Sequence, residues 1–124
     1  MDYRSAIQSH NSWKKKLTAY LRKPDGTLNP DHLGSDCRCS LGQWIYGRGM
    51  QYCDLPEYVQ LKFEHARFHQ CAGELVKQAD LGRDVSQEMV LGAESDFAIF
   101  SAAVIRAILK MKKKIDHARY VNAT

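Results

Sequence analysis

The spacing of its apolar residues is what most constrains this chain. In three long stretches they recur every three or four residues, the period of one helical face, and no segment alternates with the period of two that a half-buried strand needs. The first stripe is Ile7, His10, Trp13, Leu17 and Tyr20 or Leu21, stopped by Pro24-Asp25-Gly26. A later one, Tyr58, Leu61, His65, Phe68, His69, Ala72, Leu75 and Ala79, opens at Asp54-Leu55-Pro56-Glu57 and stops near Gly82. That opening reads as a capping box with proline in the first turn. The last stripe is Met89, Ala93, Phe97, Phe100, Val104, Ala107, Met111 and Ile115, in a helix expected from Asp84 to about Tyr120 and bent or interrupted at Gly92.

Between the first two stripes lies an irregular region with one expected short helix. Ser40 suits its N-cap and Gln43 stands three residues on, so residues 41–46 should form about two turns before Gly47 and Gly49 end them. Three long helices and one short one, each with a single apolar stripe, can bury those stripes only against each other. The fold expected is all-α, of the four-helix-bundle type. At 124 residues the chain has room for one such core, over residues 1–120, with 121–124 a tail or the start of a linker.

The net charge of +4 gathers in Lys14-Lys15-Lys16, in Arg22-Lys23 and at 110–114. Cations in the second half of a helix are solvated and favoured by its dipole, and no aromatic residues are interleaved with them as a single-strand-binding face requires. Nucleic acid is therefore not the expected partner. The most apolar segment, 98–109, is short and carries Arg106, so membrane insertion is not expected either. No apolar core follows Met1 to suggest a signal peptide. The four cysteines are then read as reduced thiols of a cytoplasmic protein.

Histidines interrupt the stripes. His10 takes an apolar position in the first stretch, and His65 and His69 take two more, four residues apart on one face. Buried imidazoles need partners. The spacing of four alone is a weak signal. It gains weight from the third histidine on another helix and from Cys39, just ahead of the short helix, where free amides favour a thiolate. Three imidazole nitrogens and one thiolate make a tetrahedral set suited to zinc. The thiolate argues against magnesium or calcium, and the lack of a histidine-plus-carboxylate array argues against a di-iron bundle.

His10-Asn11-Ser12-Trp13, Cys39-Ser40-Leu41-Gly42-Gln43-Trp44 and His65-Ala66-Arg67-Phe68-His69 resemble, in order and spacing, the chemoreceptor zinc-binding domain of bacteria, over about 9–109. The resemblance implies one zinc per chain on His10, Cys39, His65 and His69, with Trp13 and Trp44 packed around the site and Gly42 allowing close helix approach. Cys37 is the rival thiol, but only Cys39 is followed by Leu-Gly-x-Trp. The resemblance also implies a regulatory module, a homodimer, that serves a chemotaxis receptor or a diguanylate cyclase in cis or in trans. The chain has neither the receptor's heptad hairpin nor the cyclase signature, so both a stand-alone protein and a piece of a longer one remain open.

An enzyme is not expected. Four protein ligands leave no position for water, and His65 and His69 enclose Ala66, Arg67 and Phe68 rather than a His-Glu-x-x-His set. Two roles for the zinc stay in play. It could serve a sensor that responds to zinc or to oxidants, with Cys39 as the oxidisable ligand, or it could be purely structural in a small helical interaction protein.

Overall fold

A computed structural model describes residues 2–85, 92 and 95–123, and of 119–123 the backbone alone. Among the described residues five α-helices follow in order: α1 (Tyr3–Arg22), α2 (Pro30–Gly34), α3 (Ser40–Ile45), α4 (Pro56–Asp80) and α5 (Asp96–Ala123), with a 3-10 turn, Arg48–Tyr52, between α3 and α4. Among the described residues all regular structure is helical, as the apolar periods require.

The helix α4 is the centre. It packs most extensively against α5 and α2, and it also meets α1 and α3. Leu61, Phe68, Ala72 and Val76 of α4 close against Val104, Ile108 and Met111 of α5, all essentially without exposure. Burying each large side chain of this kind stabilises the fold by roughly 1.5–3 kcal/mol. At the far end, the Tyr20 hydroxyl donates to Asp80 Oδ1 at 2.7 Å and accepts from the Gly26 amide at 3.0 Å, which ties the exit of α1 to the end of α4. In α1 only Leu17, Tyr20 and Leu21 are fully buried. Its first half, with Ile7, His10 and Trp13, lies half-covered, and a cavity opens there.

Four details differ from the sequence reading. First, the capping box at Asp54 does not form: Leu55 is the N-cap of α4 and makes no side-chain cap, because Pro56, which needs no amide partner, already occupies the first turn. Second, α3 is capped one residue earlier than expected, by Cys39, whose sulfur accepts the Gly42 amide at 3.3 Å. Third, α5 does not start at Asp84, since residues 83–85 are non-helical. Its entry is fixed by Ser95, which donates to the Gly92 carbonyl at 2.7 Å and accepts the Ala98 amide at 3.1 Å. Of the stripe expected there, Met89 and Ala93 lie outside the described residues. Fourth, α2 has no counterpart in the sequence reading. Asn29 caps it, Pro30 begins it, and Gly73 of α4 lets it approach, since a Cβ on Gly73 would lie 2.7 Å from the Pro30 carbonyl oxygen.

Gly42 is equally constrained, although by a loop rather than by a second helix. A Cβ there would stand 1.9 Å from the Asp36 carbonyl oxygen and 3.0 Å from the Cys37 Cα. Both are backbone atoms and neither can rotate away. Gly42→Ala should therefore lower the unfolding free energy by about 1–3 kcal/mol or more in urea titrations. Gly34→Ala, into open space, should change it little. Equal effects of the two substitutions would contradict this account of the loop.

Candidate metal centre

Three side chains from two elements converge beside the cavity at the first half of α1. The α4 period sets His65 and His69 on one face with ring centroids 4.4 Å apart, and the cap of α3 brings Cys39 over them. Cys39 Sγ lies 3.1 Å from His65 Nε2 and 3.6 Å from His69 Nε2, and the two Nε2 atoms are 3.0 Å apart. A tetrahedral zinc with ordinary bond lengths sets nitrogens about 3.3 Å apart and nitrogen from sulfur about 3.6 Å apart. The cluster is within about half an ångström of that pattern.

The hydrogen bonds around the cluster show that these atoms can present lone pairs. His69 Nδ1 lies 2.8 Å from the Leu33 carbonyl oxygen of α2. A carbonyl only accepts, so Nδ1 carries the proton and Nε2 offers its lone pair to the cluster. His65 Nδ1 is buried with no protein partner, and its Nε2 points at the same spot. One thiol and two imidazoles aimed at a common point, half of one ring unsatisfied, fit a soft-to-borderline cation such as zinc. Cys39, His65 and His69 are in position to coordinate one metal ion.

Burial governs the protonation of these groups. It pushes His65 down to about 3, helped by His69 and opposed by Asp36. Burial likewise brings His10 to about 4, with Lys14 and His69 adding to the effect. His69 is lowered for the same reason, against the Leu33 carbonyl and Asp36. All three rings are thus neutral and free to ligate at neutral pH. The expectation of a thiolate at Cys39 needs correction for the metal-free protein. The Gly42 amide does favour the anion, but burial outweighs it and pushes the thiol up, and Asp36 adds to that.

His10 lines the same cavity of about 230 Å³ as Cys39, His65 and His69, yet its nitrogens stand outside the cluster. Its Nε2 instead pairs with Ser101 Oγ of α5 at 2.8 Å. Trp13 lies edge-on to Phe68 and 5.9 Å from the His69 ring, whereas Trp44 stacks on Tyr52. Cys37 is exposed and pairs with Ser35 Oγ, Cys53 is exposed and Cys71 half-buried, and none of the four cysteines is bridged. Glu64, the acid beside His65, is held by Gln60 and Arg67.

Two participants were not foreseen. Ser101 is 1% exposed and sits between Phe97 and Val104 on the α5 stripe, so a polar residue at an apolar position was the available signal. For the Leu33 carbonyl the signal was Asn29-Pro30-Asp31, a helix start that brings α2 against α4.

Comparison with known proteins agrees with this geometry. The family model described as the chemoreceptor zinc-binding domain matches residues 10–76, a span that holds His10, Cys39, His65 and His69. No curated protein and no solved structure matches the chain.

The buried rings make a pH dependence unavoidable. In an unfolded chain a histidine binds its proton near pH 6.5, whereas folded His10 and His65 do so only at about 4 and about 3. As pH falls below about 6.5 the unfolded state takes up more protons, so stability of the metal-free protein declines through that window until the folded rings titrate too. Urea midpoints measured between about pH 7 and about pH 5 should fall, and fall less steeply for His65→Gln. The same slope in both proteins would show that His65 is not buried neutral.

Proposed function

This chain belongs to the chemoreceptor zinc-binding domain family, and we propose that it is the sensory part of a signalling system, holding one zinc on Cys39, His65, His69 and His10 and passing the state of that site to an effector. The observation that carries the proposal is the convergence of Cys39 Sγ, His65 Nε2 and His69 Nε2 within 3.6 Å of one another, next to a cavity lined by His10. His10 completes the set by turning from Ser101 into that cavity. When bound, the metal supplies the positive charge that holds the buried Cys39 as a thiolate.

The same charge makes Cys39 the reactive sulfur of the site. Without metal, burial keeps its proton on and its nucleophilicity low. With metal, a peroxide can transfer one oxygen to the thiolate and leave as water or hydroxide, giving a sulfenic acid that ligates poorly. The element that then responds is α3, which Cys39 caps and which is otherwise held by buried Leu41 and Ile45 and by the Tyr58 hydroxyl on the Ile45 carbonyl. The effector, in cis or in trans, is of the chemotaxis-receptor or diguanylate-cyclase type. A homodimer belongs to this reading, but not through Val104, Ile108, Met111 and Ile115, which are buried within the single chain. Val59, Phe63, Ile99 and Leu109 are among the described apolar side chains that stay about half exposed and are free for pairing. No described helix is long and apolar enough to cross a membrane.

Purified protein should carry one zinc per chain by elemental analysis. Cys39→Ala, His65→Ala and His69→Ala should each empty the site under mild chelation, because each forfeits a share of a binding free energy of roughly 10–16 kcal/mol. His10→Ala should weaken retention, and Cys37→Ala should leave it unchanged. Zinc that stays bound to the wild type under peroxide until circular dichroism shows the helices melting would make the metal structural and remove the sensory role.

A further inference from the structure

His10 stands between a hydroxyl on α5 and the cavity beside the three-donor cluster. Its Nε2 is 2.8 Å from Ser101 Oγ, a hydroxyl 1% exposed on α5. Its ring lies over Phe68, with centroids 4.5 Å apart, on the wall of the cavity that also reaches Cys39, His65 and His69. His10 is not one of the donors that cluster, which are Cys39, His65 and His69. Ser101 lies outside the residues 10–76 that match the family, so the match assigns it nothing.

We propose that Ser101 competes with the metal for His10, and that this exchange carries the state of the site to α5. The proposal rests on the reading that His10 is the fourth donor. With His10 on Ser101, α1 and α5 are joined by a side-chain hydrogen bond across the bundle and the cavity of about 230 Å³ separates the ring from the cluster. That cavity gives an imidazole room to turn. Once the ring leaves, Ser101 is not stranded. A helical serine can bond back to the carbonyl four residues earlier, here that of Phe97, and such back-bonding bends a helix slightly. Binding thus trades an α1–α5 tie for a local bond within α5. Ser101 is a positioning residue that sets how readily His10 is released.

The sign of one substitution tests this. A serine that merely supports the ligand would, when removed, loosen the site. A competitor, when removed, frees His10. Zinc dissociation constants of the full chain, measured by competition with a chromophoric chelator, should tighten about 2- to 10-fold in Ser101→Ala, the worth of one hydrogen bond lost from the metal-free state. Ser101→Thr keeps the hydroxyl and should stay near the wild-type value. In a His10→Ala background, Ser101→Ala should change nothing. Weaker or unchanged binding in Ser101→Ala, or an equal change with and without His10, would overturn the competition while leaving zinc binding intact. A wild-type chain that binds no zinc would instead defeat the underlying reading as well. Should Ser101→Ala fold poorly, the imidazole nitrogens of His10 in the wild-type protein answer the same question. Their NMR shifts must change on zinc addition, and unchanged shifts in a zinc-loaded chain would refute the exchange.

Discussion

Two imidazoles and a thiol buried against each other form an arrangement that the protein alone satisfies poorly, and much of the rest of the structure serves to hold it. Taking polar groups out of water costs free energy unless partners replace the solvent. His69 has such a partner in the Leu33 carbonyl, but His65 Nδ1 has none, and the Cys39 sulfur and the two Nε2 atoms crowd within 3.0–3.6 Å of one another. A cation held there would satisfy all three atoms at once, with the Cys39 proton released to solvent. The bundle supplies the rigidity. The α2 helix lies on Gly73 to offer its carbonyl, and the loop at Asp36 lies on Gly42 to set the cap at Cys39. A Cβ at either glycine would push a ligand or its support out of place.

The division of the site between elements suits the proposed sensory role. His65 and His69 belong to the central helix and move only if the core moves. Cys39 caps a six-residue helix, and His10 belongs to the half of α1 that is only partly covered. In the proposed ligand set two donors thus sit on the central helix and two on elements that meet it less extensively. Local opening of such parts costs less than global unfolding, which is the condition for a switch that leaves the domain folded.

Periodicity made the three long helices and the cluster residues legible in the sequence, because a stripe must be buried and a histidine within it must find a partner. What stayed illegible was decided by local competition between caps and by tertiary contact. Cys39 rather than Ser40 caps α3 since the sulfur can accept the Gly42 amide, a role a cysteine rarely announces. Leu55, not Asp54, precedes α4 because Pro56 fills the first turn. The five-residue α2 is too short for a period to show, and only its Asn-Pro-Asp start marked it. The pairing of His10 with Ser101 spans 91 residues, and no spacing rule connects side chains that far apart.

The central claim is that one metal ion is held by nitrogen from histidine and sulfur from a single cysteine. X-ray absorption at the zinc edge of the purified, zinc-loaded chain tests it most directly. The account predicts four neighbours, one sulfur at about 2.3 Å and three nitrogens at about 2.0–2.1 Å, with the sulfur lost in Cys39→Ala. A shell of oxygen and nitrogen without sulfur, or one with two sulfurs, would contradict it.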